Sequence, residues 1–266
     1  MKIYQVDAFT DRIFKGNPAG VCILPGPAEE QWMQDIAMEI NLSETAFLYK
    51  QANGFNLRWF TPETEVDLCG HATLASAHIL WETGILQCES EAVFFTKSGI
   101  LSARKKEDYI LLDFPSEEDT QADAPEDLKK SLGVPFTYCG RNRMDFIVEV
   151  DGEETVRALE PDIESLKRLD VRGVIVTSLS SSPENDFVSR FFAPGAGIPE
   201  DPVTGSAHCC LGPYWKRILG KNELTAYQAS KRGGILKLVV NGDRVYIGGK
   251  AVTVYCAEFF GEPVLV

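Results

Sequence analysis

Residues 2–9 alternate apolar and polar side chains, the two-residue period of a half-buried strand, and residues 20–24 form a second short apolar run. After Pro27-Ala28-Glu29-Glu30 the period lengthens, and Trp32, Met33, Ile36, Ala37 and Ile40 fall on one face of a predicted helix. Residues 45–49 and 56–61 read as strands. Gly70 then starts a helix over 72–83 that ends at Gly84 and is apolar nearly all round. A helix without a polar face predicts burial. Strands at 92–96, 100–103 and 109–114 complete this half.

The second half repeats the order. Pro161-Asp162 opens a helix carrying Ile163, Leu166 and Leu169, and strands follow at 173–178 and 189–193. Gly205 opens a second apolar helix over 206–219, with Gly220 as its stop and Pro213 predicting a kink inside it. Strands at 234–241, 244–249 and 251–259 close the chain. Between the halves, residues 116–128 hold six acidic residues and no basic one. They read as a solvated linker running into a short helix over 125–132 with an acidic first turn.

The repetition extends to particular residues. Arg58-Trp59-Phe60-Thr61-Pro62 recurs as Arg190-Phe191-Phe192-Ala193-Pro194, 132 positions on (58 to 190). Asp67-Leu68-Cys69-Gly70-His71-Ala72 is echoed by Asp201-Pro202-Val203-Thr204-Gly205-Ser206-Ala207, with Gly70 and Gly205 offset by 135. Two motifs in the same order near half the length of a 266-residue chain imply a duplicated unit. The expected fold is α+β: two similar halves, residues 1–116 and 117–266, each a mostly antiparallel sheet curled round a buried helix. The last strand is free to return to the first half.

Composition narrows the function. The chain is 44% hydrophobic, enough for a sizeable core, and its net charge of −13 disfavours nucleic acid and anionic membrane surfaces as partners. No secretory leader or membrane-length apolar run is read, so a cytoplasmic protein is expected. The seven cysteines are irregularly spaced without a Cys-x-x-Cys pair, and the three histidines are scattered. Neither pattern suggests a metal site or a disulfide framework. No Rossmann, P-loop or metal-ligand motif signals a cofactor.

Gly70 and Gly205 each join a strand to a helix, and such a junction offers backbone N–H groups and a positive dipole end to a carboxylate or phosphate. Duplicated halves could present two such ends to one cleft. Beside them stand Cys69, His71, Asp201 and Ser206. Glu44 lies between a helix end and an apolar strand, and reads either as a solvated loop residue or as a partly desolvated acid–base group. His71 reads equally as helix-terminal packing or as functional; His78 and His208 read as structural.

Five ordered motifs carry a resemblance over nearly the whole chain. They are Tyr4-Gln5-Val6-Asp7-Ala8-Phe9-Thr10, Gly16-Asn17-Pro18-Ala19, Ser43-Glu44-Thr45-Ala46-Phe47, Asp67-Leu68-Cys69-Gly70-His71-Ala72-Thr73, and Asp201-Pro202-Val203-Thr204-Gly205-Ser206-Ala207-His208. Together they resemble the PhzF family of phenazine-biosynthesis-like isomerases, which have the diaminopimelate epimerase fold. The resemblance implies a cofactor-independent isomerase, active as a homodimer, that moves a proton on a small carboxylate-bearing substrate. Glu44 would be the general acid/base, with His71, Asp201 and Ser206 assisting. The amides of Gly70, Ala72, Gly205 and Ala207, with Asn17 bordering the pocket, would hold the substrate. The two opposed cysteines of amino-acid epimerases with this fold align with Gly70 and Asp201, which disfavours a two-thiol racemase. An epimerase using Cys69 or Asp201 as second base, or a non-catalytic anion- or partner-binding protein, remain the alternative readings.

Overall fold

Alternation at the N-terminus becomes strand β1 (Lys2–Ala8) in a computed structural model that describes residues 1–266. The chain continues through β2 (Asn17–Leu24), α1 (Glu30–Ile40), β3 (Glu44–Gln51), β4 (Gly54–Phe60), β5 (Glu65–Val66), α2 (Gly70–Glu82), β6 (Ala92–Thr96), β7 (Gly99–Lys106) and β8 (Tyr109–Pro115). Next come β9 (Thr120–Gln121), α3 (Glu126–Leu132), β10 (Phe136–Arg141), β11 (Asp145–Val150), α4 (Glu153–Ala158), α5 (Ile163–Leu166), β12 (Gly173–Leu179) and β13 (Phe187–Ala193). A short 3-10 turn leads to β14 (Ile198–Asp201), α6 (Gly205–Leu219), β15 (Glu223–Gln228), β16 (Gly234–Asn241), β17 (Arg244–Gly249) and β18 (Ala251–Glu258). Residues 1–113 with 248–266 form one compact unit and residues 114–247 the other. The divide thus falls three residues before the expected one, and β18 returns to pair antiparallel with β1, Lys2 opposite Glu258.

Each unit uses the same pairing sequence. In the first, β1 and β2 are antiparallel, β2 and β3 parallel, β3 and β4 antiparallel, β4 and β6 parallel, and β6 and β7 antiparallel. In the second, β10–β11, β11–β12, β12–β13, β13–β15 and β15–β16 alternate in the same way. The sheets are mostly antiparallel, as expected, but each has two parallel pairs, which need a crossover connection. α2 is the crossover from β4 to β6, and α6 the one from β13 to β15. The repeated Arg-aromatic-Phe motif occupies equivalent strands and does the same work in both. Arg58 pairs with Glu65 and lies over the Phe60 ring at 5.1 Å, while Arg190 pairs with Glu200 and lies over Phe192 at 4.8 Å.

α2 is buried from His71 to Ala77 and again from Ile79 to Trp81, as its all-round apolar pattern predicts. α1 is amphipathic. It lays Met33, Ile36 and Ala37 against Phe47 and Phe60, and Trp32 meets Phe47 edge-on at 6.2 Å. In the second unit, Val148, Val174, Val176, Val188 and Phe192 form the sheet face of the core. The pattern reading passes over β10, β11 and β15. β11 runs parallel to β12 and buries five of its six residues, so it shows no alternation. β15 turns Gln228 inward, which blurs its period.

The acidic stretch after β8 is exposed or half-buried except at Asp119, and it runs into α3 with Glu126 and Asp127 in the first turn, as expected. Asp119 is buried, accepting a hydrogen bond from the Tyr138 hydroxyl at 2.5 Å and pairing with Arg217. Glu117 N–H donates at 3.0 Å to the carbonyl of Cys209. That carbonyl is four residues before Pro213, which has no N–H to give it. α6 runs through Pro213 without interruption, and the freed acceptor serves to dock the neighbouring segment.

Candidate active site

α1 ends at Asn41, which adopts left-handed backbone geometry (φ 53°) and turns the chain so that Glu44 becomes the first residue of β3. β2 runs parallel to β3 with Ala19 opposite Glu44, so Asn17, the first residue of β2, lies at the same end of the sheet. The crossover helix α2 begins there too, bringing His71 in its first turn. Gly16 has φ +64°, and a Cβ on it would stand 2.1 Å from the Ala8 carbonyl oxygen; only glycine lets the chain enter β2 at this angle.

Four residues singled out in the sequence meet in this corner. Asn17 Nδ2 is 3.2 Å from His71 Nδ1, and the Cys69 thiol is 3.5 Å from the same nitrogen. On the other side of the ring, His71 Nε2 is 3.2 Å from Glu44 Oε2. The side chains of His71 and Glu44 are only 7% and 12% exposed. Although close, Nε2 and Oε2 are not aligned as a hydrogen bond, and neither atom has another partner. Asn17 is completely buried.

Burial alone would push the His71 imidazole down. The adjacent Cys69 and Glu44 outweigh it and lift the ring well above the usual histidine range. Burial pushes the Cys69 thiol up, and the Glu44 charge adds to that. The sulfur is therefore held as a thiol, and the carboxylate of Glu44 is the charge that favours imidazolium. At the start of α2, Cys69 in the N-cap position is extended and no side chain caps the helix. The first-turn amides, including Gly70 and Ala72, keep the polarity that suits an anion.

The donor atoms of Glu44, Cys69 and His71 lie within 4.8 Å of one another, an O, S, N set of the kind zinc accepts. The imidazole, however, offers Nδ1 to the thiol and Nε2 to the carboxylate. One ion takes one imidazole nitrogen, so gathering all three ligands would need the ring to turn. The geometry is a chain of contacts rather than a cage.

Asp201, Ser206, Gly205 and Ala207 lie in the second unit. Asp201 is buried and its carboxylate accepts from the Thr204 hydroxyl. Gln228 braces that turn, accepting from Thr204 N–H at 2.9 Å and donating to the Asp201 carbonyl at 2.8 Å. Gly205 and Ala207 occupy the first turn of α6, which also lacks a side-chain cap. Ser206 Oγ accepts from Arg172 Nη1 at 2.8 Å. Arg172 in turn pairs through two nitrogens with the fully buried Asp145 and covers the Phe191 ring at 5.0 Å.

The sequence reading did not single out Arg172, Asp145 or Gln228. Arg172 does precede the apolar run of β12, a weak sign of a strand-end residue, but nothing local links it to Ser206. His208 is structural in the expected sense. It stacks on Phe187, its Nδ1 lies 2.7 Å from the Thr204 carbonyl, and burial pushes it down to about 4.

The curled α+β sheet fold, with a buried carboxylate and imidazole at a helix start, is shared with a family whose named relatives are isomerases. The family model of phenazine biosynthesis-like proteins matches residues 6–257. An uncharacterized isomerase of Halalkalibacterium halodurans is 57% identical over 257 residues, covering 96% of this chain and 97% of that one. The crystal structure of a PhzF family protein of Enterococcus faecalis superposes with a TM-score of 0.94 at 45% identity, covering 97% and 98% of the two chains. A hydroxyproline epimerase of Agrobacterium vitis, solved with bound trans-4-hydroxy-L-proline, shares the fold alone, at a TM-score of 0.61 and 14% identity over 97% and 91%. The chain belongs to the PhzF family of phenazine biosynthesis-like proteins.

Proposed function

We propose that this protein is an isomerase that moves a proton between carbons of a small carboxylate-bearing substrate, with Glu44 as the proton carrier and no cofactor. One observation carries the reading: Glu44 Oε2 and His71 Nε2 are buried 3.2 Å apart without an aligned bond to each other or to anything else. Buried polar atoms are ordinarily satisfied, so two adjacent exceptions mark a place where a substrate atom completes the set. A carboxyl group can take a proton from one carbon and return it to another without electron-sink chemistry, provided water is excluded. His71, charged beside Glu44, steadies the carboxylate and the anionic character that develops on the substrate.

Asp201 and Ser206 assist proton transfer in this reading, and the amides of Gly70, Ala72, Gly205 and Ala207 receive the substrate carboxylate. A net charge of −13 is no obstacle, because backbone amides carry no formal charge. The protein would work as a homodimer in the cytoplasm. All seven cysteines are free, which suits a reducing compartment.

The test is deuterium incorporation at carbon, followed by NMR in deuterated solvent, over a panel of cyclic, partly unsaturated amino carboxylates together with trans-4-hydroxy-L-proline. Glu44→Gln keeps the shape and removes the acid, so incorporation should fall at least about 100-fold while ligand binding survives. Undiminished incorporation in that variant would overturn the assignment. The second reading, an epimerase with Cys69 as second base, is favoured only by the thiol contact with His71. It predicts exchange at the α-carbon of hydroxyproline that Cys69→Ser abolishes.

A further inference from the structure

The other end of the same helix borders a cleft that the proposed chemistry does not use. It has a volume of about 450 Å³, within the usual range for small-molecule sites. Its apolar floor is Trp81, Ile110, Ala251 and Val252, with Trp81 and Ile110 buried. The Trp81 indole N–H donates to the Ser90 carbonyl at 3.1 Å, which fixes the plane of that wall. Lys105 stands opposite Ile110 across the antiparallel β7–β8 pair, so both side chains emerge on the same face.

The charges round the rim are not equivalent. Lys250 is shared between Asp11 at 3.7 Å and Asp108 at 3.6 Å, and Glu82 accepts from the Thr253 hydroxyl at 2.6 Å. Because Thr253 gives its proton to Glu82, it receives one from His78 Nε2 at 3.0 Å, which settles the His78 tautomer. Of the two rim lysines, only Lys105 has no carboxylate within ion-pair distance. Its charge reaches His78. Burial first, and Lys105 after the opposing Glu82, press that imidazole below its usual range.

We infer that the cleft between the C-terminal half of α2, β7–β8 and the start of β18 is a second small-molecule site, taking an aromatic carboxylate. Its ring would lie on Trp81 and Ile110, and its carboxylate would reach Lys105. A planar apolar body fits the floor, and a negative charge would meet Lys105, the rim lysine that has no ion-pair partner. The site is independent of proton transfer at Glu44, which lies in a different corner of the sheet.

Indole-3-acetate is the probe, with indole-3-acetamide and tryptamine as neutral and cationic versions of the same body. With only three histidines, the His78 ring resonance can be followed by NMR and assigned with His78→Gln. Indole-3-acetate should shift it saturably, with a dissociation constant on the order of 1 mM, as befits a small ligand in an open cleft. The acetamide and tryptamine should bind at least about fivefold more weakly, as should indole-3-acetate to Lys105→Gln, whose substitution is on the surface. Deuterium incorporation by Lys105→Gln should match the parent chain, so this test stands or falls separately from that of Glu44. No saturable shift up to about 20 mM, equal affinity for the acetamide, or undiminished binding to Lys105→Gln would each overturn the proposal.

Discussion

Asn17 reaches His71 Nδ1 at 3.2 Å, tying the first residue of β2 to the first turn of α2 across 54 positions of sequence. With Nδ1 occupied, the ring is oriented so that Nε2 faces Glu44. Asn17→Ala removes that orientation while leaving the acid in place. Carbon-bound deuterium incorporation should fall about 10- to 100-fold, mainly in kcat. A variant with parental kcat would separate Asn17 from the orientation of His71.

Gly16 supports the same contact from the backbone. Gly16→Ala meets both a positive φ and the Ala8 carbonyl, so it should lower stability by about 2 kcal/mol, read as a shift in the denaturant midpoint. Asn17 would be displaced with it, and activity should fall more than the loss of folded protein accounts for.

Cys69 and, after it, the Glu44 charge lift His71, so Glu44→Gln should lower the His71 titration, followed by NMR. The sign follows from linkage. A folded-state value above the unfolded one contributes stability that is fully present below about pH 6.5 and lost as pH rises through the folded value. In the parent chain part of the stability should therefore decline on the alkaline side, and in Glu44→Gln that component should be smaller.

His208 behaves oppositely. Burial holds it at about 4, below its unfolded value, so stability is intact above about pH 6.5 and declines as pH falls toward 4. The loss from this group should approach about 3 kcal/mol at pH 4. Urea unfolding at a series of pH values would measure it, and His208→Gln should flatten that part of the profile.

Arg172 and Asp145 form an ion pair of the second unit in which the Asp145 side chain is fully buried. Removing the guanidinium strands the carboxylate. Arg172→Ala should cost about 3 kcal/mol in unfolding free energy, and Arg172→Ala with Asp145→Asn should recover part of it. Equal stability of the single and double variants would show that the pair carries little.

Much of the architecture is a local property of this chain. The shift from a two-residue to a 3.6-residue period marks α1, α2 and α6, and Gly70 and Gly205 sit where strand gives way to helix. The duplicated Arg-aromatic-Phe motif is legible as well, and in both units it lays an arginine over a phenylalanine beside a glutamate. These features are set by neighbours within one turn or one strand, where the order of residues already decides which face is apolar. Glu44 was ambiguous by the same logic, since nothing near it in sequence tells a solvated loop carboxylate from a buried acid. The parallel pairing of β2 with β3 and the crossover through α2 decided that, bringing Asn17, Glu44 and His71 into one corner. Tertiary structure alone buried Asp119, gave the carbonyl freed by Pro213 to Glu117, and placed Arg172 on Ser206. Each of these pairs joins groups far apart along the chain. Burial and charge pairing act through space, and the local pattern holds no record of which distant partner will arrive.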